Sequence, residues 1–226
     1  MDLTGVLLFT LAVAAASTAW ILVPGVLLAW LLSRPRLRGR SVLETLVTLP
    51  LVLPPTAVGL VLLALLGRGG PVGGWLYRSF GLEVAFTGLA VVLAGGVMAL
   101  PLLVRTARGA LEEVDPRLLA VARTLGRGPA ATFFEVQLPL AWRGILGGVV
   151  LAFGRALGEF GATIVVAGNI PGRTQTLALA LFQQVQIGDD RRALLLAGLA
   201  AVLAFAVLLL SQWLVGRGER ALGRRL

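Results

Sequence analysis

Arg155 and Glu159 are the residues whose types and spacing could do chemistry in this chain: a cation and a carboxylate four positions apart in an otherwise apolar stretch. That spacing puts them on one side of a helix. A lone arginine or glutamate in the hydrocarbon of a bilayer costs on the order of 3 kcal/mol on insertion scales, so a mutual ion pair or a water-filled cavity is expected. Two roles stay open: a staple that braces the helices, or a counter-charge that guides an anion. Acid–base catalysis by Glu159 would need a second polar group at matching depth, and no serine, aspartate or histidine is placed with it. Downstream, Gly168-Asn169 and Pro171-Gly172 are turn formers, followed by Arg173, Thr174 and Thr176. Consecutive amides there could form an anion nest; a solvated external loop would use the same residues.

Other chemistries are excluded by composition. The chain has no cysteine and no histidine, so disulfides and the usual zinc or haem ligands are ruled out, and no metal site is expected. It also lacks the glycine-rich loop ending in Lys-Ser/Thr that would cradle nucleotide phosphates. No cofactor is expected in the chain itself.

The elements that must position these residues are membrane spans. The 226 residues are 58% apolar and 14% charged, with the apolar residues in long blocks. Val6–Leu32 is a span without a charge, bent by Pro24. Thr45–Leu66 is interrupted by Pro50, Pro54 and Pro55, which points to a kink against neighbouring helices or a cavity rather than lipid. A glycine-rich loop follows from Gly67 to Glu83, then spans at Phe86–Val104, about Trp142–Val166, and Ala193–Val215. Gly154, Gly158 and Gly161 permit close helix approach.

The net charge of +9 comes entirely from arginine, and the arginines sit beside spans. This is a topology signal, and no nucleic-acid partner is expected. With five spans and an external N-terminus, the clusters at 34–40, 105–143 and 217–225 share one side. That side holds 14 arginines against five on the other. The arginine bias predicts N-terminus outside and C-terminus cytoplasmic.

Between the third and fourth spans lies a polar insert, 112–139. Asp115-Pro116 starts a helix, with aspartate capping and proline in the first turn. Leu118, Leu119, Ala122 and Leu125 recur on one face; Gly126 can take a left-handed terminating position, and Gly128-Pro129 opens a second short helix. Pro139 precedes the next span. Such an insert can rest on lipid headgroups or form a compact knob for a groove in another protein.

The insert resembles the cytoplasmic signature of ATP-binding-cassette import permeases: Glu-Ala-Ala, three residues, Gly, nine residues, Ile-x-Leu-Pro. Ala120-Val121-Ala122 stand at the first three positions, Gly126 at the glycine, Val136 at the isoleucine, and Leu138-Pro139 at the end. Every spacing agrees, while the glutamate and first alanine are replaced by Ala120 and Val121. Arg155-Ala156-Leu157-Gly158-Glu159-Phe160-Gly161-Ala162, then Gly168-Asn169-Ile170-Pro171-Gly172, resembles the molybdate permeases within the molybdate, tungstate and sulfate import group. Leu49 through Thr56 and Leu100 through Pro116 are similar to that group as well.

The resemblance implies a single all-α polytopic permease domain over 1–226, with five transmembrane helices and a cytoplasmic helix–turn–helix. It implies a multi-pass protein of the cytoplasmic membrane, a homodimer, two cytoplasmic ATP-binding subunits that bind ATP and Mg, and an external oxyanion-binding protein. Leu118, Leu119, Ala120, Val121, Ala122, Leu125, Gly126, Val136, Leu138 and Pro139 would couple to the ATPase. Pro54, Pro55, Arg155, Gly158, Glu159, Phe160 and Gly161 would form the translocation path or its gate. Asn169, Pro171, Gly172, Arg173 and Thr174 would lie in an external loop. The cargo implied is molybdate or tungstate, with sulfate or another small solute as the alternative.

Overall fold

The computed structural model describes residues 3–34 and 37–222, with side chains up to 213. Of the predicted arginine clusters, Arg36, Arg224 and Arg225 lie outside the described residues, as do the side chains of Arg217 and Arg220. The described chain is helical: α1 (Leu3–Leu32), α2 (Arg40–Val52), α3 (Pro55–Leu66), α4 (Pro71–Phe80), α5 (Gly88–Glu112), α6 (Pro116–Thr124), α7 (Pro129–Thr132), a π-helical turn (Phe133–Gln137), α8 (Leu138–Leu157), α9 (Gly161–Val166), α10 (Leu177–Ile187) and α11 (Asp190–Leu222). Among the described residues, five stretches are long and apolar enough to cross a bilayer: Leu3–Leu32, Pro55–Phe80, Gly88–Glu112, Pro129–Leu157 and Asp190–Trp213. The expected all-α architecture with five spans holds.

Their boundaries differ from the sequence reading: the third runs on to Glu112, the fourth stops at Leu157 rather than Val166, and three further differences have a visible cause. Pro54 and Pro55 break the second block outright. Leu53 and Pro54 are extended, and Pro55 opens α3, so the apolar stretch starts there and runs on to Phe80. Proline lacks the N–H a continuing helix needs but suits a first turn. The predicted loop 67–83 contains a helix, α4. Its glycines allow contact rather than looseness: a Cβ on Gly73 would lie 2.0 Å from the Leu66 carbonyl oxygen. The fourth helix begins at Pro129 and passes through Pro139 without stopping. The π turn immediately before Pro139 absorbs the proline: the Leu138 N–H reaches back five residues to the Phe133 carbonyl, loosening the turn that the ring would otherwise strike.

Helices α1, α5 and α8 pack together at the centre, and α11 covers α8 and α10. Close approach depends on small residues: a Cβ on Gly96 would fall 2.2 Å from the Trp20 indole nitrogen. The indole N–H donates to the Val92 carbonyl at 3.3 Å. One end of the bundle is sealed by Ala29, Leu32, Leu111, Val114, Phe133 and Ile145. The opposite end is sealed by Val6, Leu177, Ala180 and Leu196.

Candidate functional site

Helix α8 ends at Leu157, so Glu159 does not continue the helix that carries Arg155. The two side chains meet across the end of the helix, with Arg155 Nη1 2.7 Å from Glu159 Oε2. The Glu159 side chain is 3% exposed and that of Arg155 28%. The second carboxylate oxygen, Oε1, accepts the Ala162 N–H at 2.8 Å. Glu159 therefore also satisfies a donor in the first turn of α9, which would otherwise be orphaned at the break. The predicted pairing on one helix face is replaced by a junction: one carboxylate ties the end of α8 to the start of α9.

A second helix break lies beside the first. A Cβ on Gly161 would sit 2.6 Å from Pro55 Cβ, and one on Gly59 would sit 2.6 Å from the Ala162 carbonyl oxygen. The first turns of α3 and α9 are thus in contact, which brings Pro54, Pro55, Glu159, Phe160 and Gly161 together. Gly154 plays its expected part elsewhere, since a Cβ there would meet Val207 of α11 at 2.7 Å. Gly158 does not: its Cβ position meets only its own helix, at the Gly154 carbonyl, and it caps α8 instead. The Phe160 ring contacts Phe182 of α10, with centroids 4.8 Å apart.

The loop after α9 uses its donors internally. The N–H groups of Arg173, Thr174 and Gln175 all reach the Ile170 carbonyl, at 3.0, 2.9 and 3.2 Å. Thr174 is 0% exposed; its Oγ1 accepts the Ile170 N–H at 3.0 Å and donates to the Gly168 carbonyl at 3.3 Å. Thr176 caps α10. The nest suggested by turn chemistry is therefore not formed, because its amides already have acceptors. Only Pro171, Gly172 and Arg173 of this loop are exposed, and Asn169 is half-buried. Sequence reasoning missed α10 itself, whose amides Gln183 and Gln184 back onto the loop. The signals were present: a Thr176 cap, an apolar run and a terminating Gly188 with φ 81°.

The insert is a helix, a turn and a return. The Asp115 side chain accepts the Arg117 N–H at 2.8 Å and so starts α6. At its end the Gly126 N–H bonds Arg123 O and the Arg127 N–H bonds Ala122 O, with Gly126 at φ 80°. This crossed pair of bonds requires a left-handed residue, which is where glycine is needed. The predicted single face of α6 divides in two. Ala122 is buried and Leu119 packs against the bundle, while Leu118, Ala120, Val121 and Leu125 face outward. Val136 and Leu138 are half-buried and Pro139 is exposed. The return segment is anchored by Phe133 against Trp30, with centroids 4.6 Å apart, and by Gln137 Nε2 donating to the Leu111 carbonyl at 3.1 Å.

Beside the insert, four charges join α2 to α5. Arg108 reaches Glu44 and Glu112, both at 2.8 Å, and Arg40 reaches Glu112 at 3.1 Å. The end of α5 that leads into the insert is thereby tied to the helix that leads to the Pro54–Pro55 break.

The chain has relatives both in sequence and in fold. Residues 21–220 match the family described as binding-protein-dependent transport system inner membrane component. The molybdenum transport system permease protein ModB of Haemophilus influenzae is 43% identical over 95% of this chain and 94% of its own length. ModB of Escherichia coli K12 is 44% identical over 96% and 95%. The sulfate transport system permease protein CysT of Escherichia coli K12 is 39% identical over 82% of this chain and 66% of its own. Two solved structures share the fold. The inward-facing methionine ABC transporter MetNI has a TM-score of 0.73 at 18% identity, covering 93% of each chain. A bacterial alginate ABC transporter has a TM-score of 0.72 at 16% identity, covering 96% of this chain and 79% of that one. The chain belongs to the inner-membrane permease family of binding-protein-dependent ABC importers, as a transport subunit that is not itself catalytic.

Proposed function

We propose that the chain is the membrane path of an ATP-driven importer for molybdate or tungstate. The observation that carries this reading is 43–44% identity to molybdenum permeases along nearly the whole chain. Sulfate is the second reading, favoured by the 39% identity to a sulfate permease over a shorter part of both chains. The working unit is a homodimer of this single-domain chain with two cytoplasmic ATP-binding subunits, which bind ATP and Mg, and an external oxyanion-binding protein. The N-terminus is outside and the C-terminus cytoplasmic.

The outward face of α6, with Leu118, Val121 and Leu125, docks in a groove of the ATP-binding subunit, as amphipathic helices do. Closure of the ATPase moves the insert. Movement passes through Phe133 and Gln137 to α1 and α5, and through the Arg108 ion pairs to α2. The paired breaks at Pro54–Pro55 and Gly158–Gly161 act as the gate, where helices can reorient without breaking a continuous hydrogen-bond ladder. Arg155 and Glu159 brace that gate. A conduit must release what it admits, so tight selection resides in the external protein. Uptake by the reconstituted complex, measured for molybdate, tungstate and sulfate at matched concentrations, tests the cargo. Uptake of the first two at a clear excess over sulfate is expected, and preferential sulfate uptake overturns the assignment.

A further inference from the structure

Helix α3 is too short to cross a bilayer by itself. Its 12 residues rise about 18 Å, against a hydrocarbon core of about 30 Å. The 13 residues of α2, joined to it through the extended Leu53 and Pro54, add about 20 Å and complete the crossing. The Leu66 end of α3 therefore already stands at the membrane boundary, and α4 begins there.

Helix α4 does not prolong α3. Residues 66 and 73 of a straight helix would stand about 10 Å apart along its axis. Instead Gly73 lies against the Leu66 carbonyl, because Gly67, extended at ψ 161°, lets the chain step sideways. Beyond α4 the chain returns to the same place: Arg68 pairs with Glu83, and its guanidinium lies 4.7 Å from the centre of the Tyr77 ring. Gly73 and Gly74 are buried, and Tyr77 lies under Arg68. Along another side of α4 run Val72, Trp75, Leu76 and Phe80, with the spacing of an apolar helix stripe. Trp75 is 54% exposed and Phe80 63%, their rings edge to face at 5.6 Å. Such a stripe, at the level of the membrane boundary, meets the layer where indole rings settle between acyl chains and headgroups.

We propose that α4 lies in the plane of the bilayer surface. Val72, Trp75, Leu76 and Phe80 sink to the boundary of headgroups and acyl chains, and the exposed Arg78 meets lipid phosphates. The leaflet is the outer one under the orientation proposed above. The inference otherwise stands on helix length and exposure, whatever the cargo. Through the glycine contact, the lipid surface moors the Leu66 end of α3 and leaves the Pro55 end to move.

The chain contains no cysteine, so Val72→Cys and Ser79→Cys each carry one spin label, about two turns apart on one side of α4. Their depths are read from collisions with oxygen and with a water-soluble nickel chelate, on the permease–ATPase complex in phospholipid nanodiscs. Val202→Cys, exposed within the last span, sets the hydrocarbon value, and Arg173→Cys the aqueous one. Both α4 labels are expected at one depth, just below the headgroups. Depths about 10 Å apart would mean an upright helix and overturn the proposal. Aqueous values at both positions overturn it as well, and if the external binding protein then shields them, the stripe is a protein-docking face. Adding Trp75→Ala and Phe80→Ala is expected to shift both labels toward water, and an unchanged depth would remove the anchoring role from those rings. Size-exclusion profiles of the variants show whether the complex is still assembled.

Discussion

The two oxygens of Glu159 hold different things. One pairs with Arg155 at 2.7 Å and the other accepts the Ala162 N–H at 2.8 Å. Breaking a buried ion pair by removing one partner costs about 3–5 kcal/mol, whereas replacing both with apolar groups is often near neutral. With Arg155 part-exposed, the lower end of that range applies. Arg155→Leu and Glu159→Leu are each expected to lower detergent stability and uptake, and the double variant to regain most of both. The recovery stops short by about 1 kcal/mol, because leucine at 159 leaves the Ala162 N–H without its acceptor. Arg155→Leu with Glu159→Gln keeps that acceptor and is expected to recover further. Thermal unfolding and anion uptake on all four variants check this, and full stability with no uptake in the doubles would make the pair a direct counter-charge. The spacing of four revealed the pair. It could not reveal the second bond, which exists only because the chain leaves α8 at Gly158.

At the scale of elements, the turn between α6 and α7 is held by two backbone bonds around Gly126 at φ 80°. Proline at 126 cannot reach that φ and has no N–H for Arg123. Gly126→Pro is expected to leave the protein in the membrane while the ATP-binding subunit no longer co-purifies and uptake falls by an order of magnitude or more, about 1.4 kcal/mol per factor of ten. Normal recovery of the partner with normal uptake would show that the insert is not the docking element. Asp115, Pro116 and Gly126 made the first helix legible because caps and left-handed turns are local chemistry. The split of its apolar face was hidden, since which leucine turns inward depends on a cluster that includes Ala29, Leu32 and Val47, distant in sequence. Helix α4 was hidden in what reads as a glycine-rich loop, because its glycines serve contact rather than mark a turn. The start of the fourth helix was misplaced because Pro139 reads as a stop unless a π turn precedes it.

For the whole molecule, span number was legible from apolar block length, and the distribution of arginine carries an expectation for orientation. A reporter fused after Arg225 is expected in the cytoplasm, and a label at Ser79, close to the exposed Phe80 and Leu82, is expected to react from outside. The physical basis is the split of 14 arginines against five. Labelling of both positions from one side would mean that one of the three later stretches, Gly88–Glu112, Pro129–Leu157 or Asp190–Trp213, does not cross. The contact between the two helix breaks was beyond reach of any linear pattern. Pro55 and Gly161 are more than a hundred positions apart, and each reads alone as a simple helix start.

The π turn at 133–137 has a rotational consequence. A π turn is in effect an α-helix with one residue inserted, and each residue of an α-helix advances the chain by about 100° around the axis. Everything on the N-terminal side of Phe133, including the outward leucines of α6, is therefore set at an azimuth about 100° away from where an unbroken helix would put it. The heading of the outward face of α6 is written in one surplus residue. A permease with the same spans and the same insert, but without that residue, would present this face in a different direction.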